Sequence, residues 1–290
     1  MDPVQQPMPQ TEATRPASVV VHEVPCRSVL NRWGGGGYSL NGYTGCTHAC
    51  VYCYARFMQR FHPHPEPWGQ FVDVKSNAPE VLSRQLRRTP PGPVFVSSAC
   101  DAWQPLEREW EITRRCCEVL FRYGFAVHAL TKSSLVLRDL DLFAGRDAQV
   151  GVTLTTLDER LRRLWEPNAA PVAERLRVLR EAKAAGIRTA VMFGPLLPFL
   201  SDGPHSLDAL FAAAMELQVD VVWVDALNPR PRVWESIAAL LRRRFPELVP
   251  RYGEILFNRE AREAYLHTLR QRVSQAAQRH RLGDRLRGCP

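Results

Sequence analysis

Residues 45–56 read Gly45-Cys46-Thr47-His48-Ala49-Cys50-Val51-Tyr52-Cys53-Tyr54-Ala55-Arg56, with three cysteines in a C-x3-C-x2-C spacing. This spacing near the start of a chain favours three thiolate ligands on an iron–sulfur cluster. Three thiolates on a four-iron cluster leave one iron open, so a small molecule can bind that iron directly. The stretch therefore predicts a cluster that takes part in chemistry as well as in electron transfer.

Zinc and disulfide bonds are the alternative uses of these cysteines. A zinc site commonly draws four ligands from two separated pairs, and no second C-x2-C or H-x3-H pair follows at finger spacing. His48 or His62 could supply a fourth ligand, so the zinc alternative stays open. A disulfide framework is disfavoured, because the N-terminus is polar and contains proline, and no secretory apolar segment follows Met1. We therefore expect a reducing, cytoplasmic location.

The cysteine loop resembles that of the radical S-adenosylmethionine (SAM) enzymes, whose pattern is C-x3-C-x-aromatic-C, with Tyr52 as the aromatic residue. The longer stretch 40–56 resembles more narrowly the branch related to spore photoproduct lyase. Further matching stretches lie at residues 74–78, 97–105, 130–133 and 138–142. The resemblance implies a [4Fe-4S] cluster, SAM as cosubstrate, and a reducing partner such as flavodoxin or ferredoxin. It also implies that the cluster ligands are Cys46, Cys50 and Cys53.

Alternating strand and helix patterns follow the cysteine loop. Besides a first strand leading into the loop, apolar strand patterns lie near residues 94–97, 126–130, 149–154, 189–192 and 221–224. Helical patterns lie near residues 51–60, 79–88, 109–123, 135–142, 172–185, 207–217 and 233–244. Six β/α units predict an α/β fold with a parallel sheet and right-handed crossovers. The resemblance implies that this sheet is an open, partial (β/α)6 barrel.

One catalytic domain is expected, because 290 residues with 45% hydrophobic content can bury a large core. We predict a disordered tail over residues 1–17, a radical SAM domain over 18–245 that includes the cluster loop 45–56, and a helical C-terminal extension over 246–290 packed on the barrel. Apolar runs stay well short of the ~20 residues that span a bilayer, so no membrane partner is expected.

The formal net charge is +8, and the arginines are spread over several segments. Such arginines are most often the solvated faces of amphipathic helices. The charge also permits a nucleic-acid or phosphorylated partner, although the sequence contains no separate DNA-binding motif.

Polar residues directly after the predicted strands are the candidate ligand-binding groups, since functional groups of β/α barrels gather at the carboxyl ends of the strands. The resemblance implies that Tyr52 packs on the adenine side of SAM and that Lys132 binds the SAM carboxylate as a point charge. By the same resemblance, the further candidates for SAM contacts are Ser97, Ser98, Thr153, Thr155 and Asn228.

Two cysteines outside the loop are candidate hydrogen-atom donors. Related sequences usually carry threonine at the position of Cys100, and spore photoproduct lyase proper has a neighbouring cysteine that returns a hydrogen atom to the product radical. A small buried cysteine packed under the pocket is the alternative for Cys100. Cys289 is the second candidate, because a mobile C-terminal thiol can fold over a barrel mouth.

Three functions remain open at this point. The first is a radical SAM enzyme acting on a nucleic acid or nucleotide, with Trp103 as a candidate platform for stacking a base. The second is a radical SAM tailoring enzyme for a small-molecule nucleoside or sugar. The third is a non-enzymatic iron–sulfur or zinc protein.

Overall fold

A computed structural model describes residues 19–34, 36–230 and 232–289 of the chain. Its strands are β1 (Val20–Val24), β2 (Leu30–Trp33), β3 (Gly37–Leu40), β4 (Tyr43–Thr44), β5 (Phe71–Lys75), β6 (Pro93–Val96), β7 (Ala126–Thr131), β8 (Ala148–Thr153), β9 (Arg188–Leu196), β10 (Val221–Ala226) and β11 (Leu286–Gly288). The predicted tail 1–17 lies outside the described residues.

The α-helices of these ranges are α1 (Ala78–Leu86), α2 (Glu107–Trp110), α3 (Ile112–Arg122), α4 (Leu140–Phe143), α5 (Glu159–Trp165), α6 (Val172–Ala184), α7 (Pro204–Glu216), α8 (Val233–Arg244), α9 (Val249–Phe257) and α10 (Arg259–Arg279). Short 3₁₀ helices cover Tyr54–Arg60, Ser134–Asp139, Pro246–Leu248 and Gly283–Arg285.

The main sheet has the strand order β11-β10-β9-β8-β7-β6-β3-β2 in the described ranges. From β3 to β10 its neighbours pair in parallel and in chain order, while β2 pairs antiparallel with β3 at one edge. The sheet does not close on itself, since β2 and β11 are its two edges. This open sheet of successive parallel β/α units confirms the predicted partial barrel.

The central strands are apolar because both of their faces are covered, as in other parallel sheets. Val150 and Val152 of β8 have no exposed surface, and neither does Val127 of β7. On the outer face, α3 buries both Cys116 and Cys117 completely. These two thiols are therefore part of the hydrophobic core.

Three predicted helices differ from the structure, and the one predicted over 135–142 is a 3₁₀ helix over Ser134–Asp139 followed by the short α4. Over residues 51–60 the chain forms a 3₁₀ helix that begins only at Tyr54, after an extended Cys53. The helix predicted over 109–123 is broken at Glu111, which has φ 49°. The cause is the buried Glu107 carboxylate, which accepts the backbone N–H groups of Thr113 and Arg114 at 2.9 and 3.0 Å and so starts a new helix there.

A second sheet of order β1-β5-β4 was not predicted. Its central strand β5 pairs in parallel with β1 and antiparallel with β4. Phe71 at the start of β5 is completely buried, and β4 ends at Thr44, directly before the cysteine loop. This small sheet therefore supports the loop from one side.

The C-terminal residues pack on the barrel in two ways. The long helix α10 contacts α7 and α9, and β11 extends the main sheet beside β10. A domain boundary at residue 245 stays a prediction. Within the described ranges, no helix has the length and apolar character that crossing a membrane requires.

Candidate cofactor site

The cysteine loop begins with a turn that only glycine accommodates easily. Gly45 has φ +88°, and a Cβ atom there would lie 2.4 Å from the carbonyl oxygen of Phe71. The loop also passes close to Gly69, where a Cβ atom would lie 2.5 Å from the Cβ of Ala49. The small sheet and the segment before it therefore fix the path of the loop through close contacts.

Two amide side chains hold the loop by its backbone. Gln104 accepts the N–H of Thr47 at 2.9 Å and donates to the carbonyl of Gly45 at 3.3 Å. From the other side, Asn168 donates to the Thr47 carbonyl at 2.9 Å, and the N–H of Val51 donates to the Trp165 carbonyl at 2.9 Å. The loop is thus anchored both to the segment after β6 and to the segment after α5.

The three cysteines of the loop are free thiols. Cys46 packs with Trp68 and Phe71, Cys50 packs in a second apolar cluster around Trp165, and Cys53 contacts both clusters. Burial raises the pKa of Cys50 to about 12, and it also raises the pKa values of Cys46 and Cys53. Binding a metal centre would therefore release protons from these thiols. Three soft sulfur donors in one anchored loop fit an iron–sulfur cluster.

Tyr52 directs its hydroxyl group into a buried polar network. The hydroxyl donates to the carboxylate of Glu166 and lies 3.0 Å from Oγ1 of Thr155. Thr155 Oγ1 is in turn 2.9 Å from Glu166 Oε1. The structure thus brings together two predicted site residues, Tyr52 and Thr155, around a carboxylate that was not predicted.

Glu166 is paired with an equally buried arginine. Its Oε2 atom lies 2.5 Å from Nη2 of Arg175, and both side chains have no exposed surface. Arg175 also donates to the carbonyl oxygens of Thr153 and Ala170, each at 2.9 Å. Burial alone would raise the pKa of Glu166, but the charges of Arg175 and Lys132 outweigh burial and lower it. The carboxylate is therefore ionised.

Lys132 places its ammonium group near the same network. Its Nζ lies 5.8 Å from the centroid of the Tyr52 ring. Burial opposes the charged form, but the nearby Cys50 and Glu166 outweigh burial and raise the pKa of Lys132. A charged amine is thus held beside the cysteine loop, as the binding of a carboxylate would require.

The end of β6 carries the predicted Ser97, Ser98 and Cys100. Asn41 accepts the N–H groups of Ser98 and Ala99 at 3.0 and 2.7 Å, which shapes this turn. The hydroxyl of Ser97 donates to the Cys100 carbonyl at 2.6 Å and lies 3.1 Å from the Cys100 sulfur. Burial raises the pKa of Cys100 to about 11, so this half-buried thiol carries its proton at neutral pH.

Asp101 connects the loop with Lys132, and sequence reasoning did not give it this role. It accepts the Thr131 hydroxyl at 2.6 Å and the backbone N–H of Lys132 at 2.7 Å, and His48 Nδ1 lies 3.3 Å away. Burial alone would raise the pKa of Asp101, but the neighbouring His48 and these hydrogen bonds lower it. A buried carboxylate therefore fixes His48 on the loop relative to the strand end that carries Lys132.

The remaining candidates lie elsewhere. Asn228 is exposed, and its side-chain amide lies 3.5 Å from the Asp225 carboxylate. Cys289 is also exposed and directly follows β11, whose Gly288 pairs with Trp223 of β10. Trp103 is completely buried and donates through Nε1 to Asp139 at 2.8 Å, so it packs the core and does not present a stacking face.

Glu166 and Arg175 are the main functional groups that the sequence reasoning missed. Glu166 follows α5, a helix that no pattern had predicted. Arg175 could have been recognised from the sequence. It lies three residues before Val178 and four before Leu179, on the apolar face of α6. An arginine on an apolar face indicates a buried partner.

Comparison with known proteins agrees with this geometry. The family model of the radical SAM superfamily matches residues 40–209. A protein of Mycobacterium tuberculosis strain H37Rv is 33% identical over 288 residues, which cover 94% of this chain and 84% of that protein. A protein of Methanocaldococcus jannaschii is 34% identical over 169 residues, covering 58% of this chain and 63% of that protein, which is under two thirds of its length. Both relatives are uncharacterised.

Solved structures of spore photoproduct lyase share the fold. A variant of that enzyme with bound AdoMet (SAM) and dinucleoside spore photoproduct aligns with a TM-score of 0.71 and 14% identity, covering 99% of this chain and 87% of that chain. A second variant with dinucleoside spore photoproduct aligns with a TM-score of 0.68 and 13% identity, covering 93% and 81%.

The matched domain defines the class: this chain belongs to the radical SAM superfamily. Its fold is that of the spore photoproduct lyase branch, as predicted. The cofactors of this superfamily are a [4Fe-4S] cluster and SAM, and the thiol donors of the cysteine loop fit the cluster.

The buried ion pair allows a test of how the site is held. We expect Arg175→Met to lower the free energy of unfolding by about 3–5 kcal/mol, because it leaves the Glu166 carboxylate buried without its partner. Urea unfolding followed by tryptophan fluorescence measures this change. The matched control is Arg177→Met on the same helix, whose exposed pair with Glu174 should contribute less than about 1 kcal/mol.

The double variant Glu166→Gln/Arg175→Met should recover much of the lost stability, because it removes both charges together. A double variant as unstable as Arg175→Met alone would show that the ion pair is not the cause.

Proposed function

We propose that this chain is a radical SAM enzyme in which Cys46, Cys50 and Cys53 hold the [4Fe-4S] cluster and a nucleic acid or nucleotide is the substrate. The observation that carries the proposal is the anchored loop of three free thiols, two buried and one half-buried, beside the charged amine of Lys132. Soft thiolates suit the cluster, and the ammonium group suits the carboxylate of SAM. A low-potential protein such as flavodoxin or ferredoxin is the proposed reductant.

When bound, the cluster would supply one electron to SAM, and the resulting 5′-deoxyadenosyl radical would remove a hydrogen atom from the substrate. The chain's own residues orient the reactants and exclude water. Tyr52 is held rigidly by Glu166 and Thr155, which suits a surface against the adenine. Thr153 ends β8 and Ser98 follows β6, on either side of β7, and both are proposed to line the same pocket, as is Asn228 at its exposed rim. Groups that are held in place before the substrate binds favour hydrogen-atom transfer from the substrate over side reactions of the radical.

Cys100 is the proposed donor that returns a hydrogen atom to the product radical. Its thiol is protonated at neutral pH, because burial raises its pKa to about 11. In the transfer, the S–H bond breaks and a C–H bond forms, and the unpaired electron moves from carbon to the sulfur of Cys100. Ser97 contacts both the sulfur and the carbonyl of Cys100 and so would hold the thiol in place. Cys289 is the second proposed donor.

The substrate class is supported by the fold and by charge. The related folds bind dinucleoside spore photoproduct, and this chain carries a net charge of +8. The arginines Arg160 and Arg163 are exposed on α5, which begins directly after the carboxyl end of β8. They therefore lie on the side of the barrel that carries the cofactor site, where they could contact phosphates.

The first prediction concerns SAM cleavage. After anaerobic cluster reconstitution, the wild-type protein should form 5′-deoxyadenosine from SAM and dithionite, and the triple variant Cys46→Ala/Cys50→Ala/Cys53→Ala should form none. Chromatography measures the product, and iron analysis measures cluster content. Cys26→Ala is the control for loss of a thiol outside the loop, and it should keep the activity.

A wild-type protein with a fully assembled cluster that forms no 5′-deoxyadenosine, with or without dinucleoside spore photoproduct, would favour the non-enzymatic iron–sulfur alternative. Cleavage by the triple variant would contradict the assignment of the cluster ligands.

The second prediction concerns the substrate class. Binding of a fluorescent DNA duplex should weaken steeply with salt, because contacts with phosphates release counterions. Arg160→Ala/Arg163→Ala should lower the slope of log affinity against log salt by about 2, while Arg87→Ala/Arg88→Ala should not change it. The second pair is exposed between α1 and the amino end of β6, away from the carboxyl ends of the strands. Fluorescence anisotropy over a salt series provides the measurement.

DNA binding that is absent or independent of salt would contradict the polynucleotide proposal. Stimulation of SAM cleavage by free nucleosides or sugars in that case would favour a tailoring enzyme for small molecules.

The third prediction concerns Cys100. Thiol hydrogens exchange with solvent, so product formed from dinucleoside spore photoproduct in D₂O should carry deuterium in the wild type. Cys100→Ala should keep SAM cleavage while the labelled product is lost or replaced by a side product, and the core variant Cys116→Ala should behave as the wild type. Mass spectrometry of the product measures the label. Equal labelling in Cys100→Ala would assign the thiol to core packing only.

A further inference from the structure

A group of metal-binding side chains lies outside the cofactor site, on the small sheet. It comprises His22 on β1 together with His64 and Glu66 from the segment between the 3₁₀ helix Tyr54–Arg60 and β5. One ligand atom from each residue lies within 4.8 Å of those of the other two. Small side-chain adjustments would bring such atoms to the separation of neighbouring ligands around one metal ion.

The orientation of the His64 ring is set by a carboxylate behind it. Nε2 of His64 lies 3.1 Å from Oδ2 of Asp73, a buried residue on β5 and the register partner of His22. When Nε2–H donates to Asp73, the Nδ1 lone pair faces the Glu66 carboxylate, whose Oε2 is 3.7 Å away. A carboxylate that fixes the tautomer of a histidine in this way is the usual second partner of a metal-bound histidine.

The Glu66 carboxylate supplies an independent indication. Its Oε2 atom is buried and has no hydrogen-bond partner among the described residues. A buried carboxylate oxygen without a partner is costly, because it loses its hydration without compensation. A cation between Oε2 and the two imidazole rings would remove this cost.

The segment that carries two of the ligands is stiff. It reads His62-Pro63-His64-Pro65-Glu66-Pro67, and each proline restricts both its own φ and the conformation of the residue before it. The His64 ring also stacks on Phe71, with ring centroids 3.9 Å apart and planes at 14°. A ligand pair held in this way loses little conformational freedom on binding a metal ion.

We propose that His22, His64 and Glu66 bind a divalent cation of the zinc class, with Asp73 as a positioning residue for His64. Two imidazoles and one carboxylate form a donor set that zinc accepts, and zinc binds such nitrogen and oxygen donors more tightly than iron(II) does. Because His22 is exposed, water would complete the coordination. The ion would tie β1 and the proline segment to Phe71, which supports Gly45 at the start of the cysteine loop.

Metal analysis of anaerobically purified protein, by plasma mass spectrometry without chelators, tests the site. The wild type should contain about one zinc ion per chain. His64→Ala, Glu66→Ala and His22→Ala should lose it, whereas His62→Ala, an exposed histidine of the same proline segment, should retain it. Since His22 is exposed, its variant tests the site without disturbing the core.

Iron content and 5′-deoxyadenosine formation, measured on the same samples, report on the cluster of the cysteine loop. Loss of zinc binding can therefore be distinguished from loss of the proposed radical SAM activity. The inference would be overturned if the wild type contained no zinc, or if this site held iron in place of zinc. It would also be overturned if the three ligand variants contained as much zinc as His62→Ala.

A cobalt(II) titration of Cys46→Ala/Cys50→Ala/Cys53→Ala excludes the loop thiols as the source of binding. Visible d–d absorption without thiolate charge-transfer bands is expected, and it should disappear when His64→Ala is added. Asp73→Asn should weaken the affinity by about 10–100-fold without abolishing it, as expected for a positioning residue. Thiolate bands, or an unchanged affinity in the His64→Ala background, would again overturn the assignment.

Discussion

The buried ion pair between Glu166 and Arg175 is the constraint on which the site depends. A carboxylate without exposed surface is tolerable only when its charge is paired, and here Arg175 lies beside Oε2 while Oε1 accepts hydrogen bonds from Tyr52 and Thr155. Arg175 is bound in turn to the carbonyl oxygen of Thr153 at the end of β8. The position of the carboxylate is thus determined by the barrel itself, through α6 and β8.

This constraint extends to the cysteine loop through the neighbours of Glu166. Trp165 accepts the N–H of Val51, while Asn168 binds the carbonyl groups of Thr47 and His48, so residues 165–168 hold the loop along its length. Placing Tyr52 in the same network orients its flanking cysteines. The arrangement suits the proposed chemistry at a bound cofactor, because ligands on a loop become precise only when surrounding residues fix that loop.

The parts predicted from the sequence are those that local patterns determine. The central strands were recognisable because parallel strands covered on both faces read as apolar runs, and the bounds of α8 agree with the predicted 233–244. The C-x3-C-x-aromatic-C pattern led to the superfamily, since spacing of ligands is a local property. The break at Glu111 and the pairing of Glu166 with Arg175 arise from side-chain contacts between nearby residues that follow no helical or strand period. The Glu107 carboxylate binds the first N–H groups of α3, and hydrophobic periodicity carries no information about such a side-chain hydrogen bond.

The small sheet was missed for a related reason, and its physical role explains its composition. β1 reads Val-Val-His-Glu-Val, with His22 and Glu23 exposed, so neither a buried run nor a clean alternation marks it. Its partner β5 is buried and carries Phe71, against which Gly45 makes its closest contact. The cysteine loop therefore lies between two supports: the ion pair holds its later residues, and Phe71 holds its first turn. The ion pair is held by the large barrel, whereas Phe71 belongs to a sheet of three short strands. A sheet with only three short strands is stable only when other elements cover it. His64 stacks on the Phe71 ring and is bonded to Asp73 of the same strand, so the proline segment covers this sheet at the point where it supports the loop.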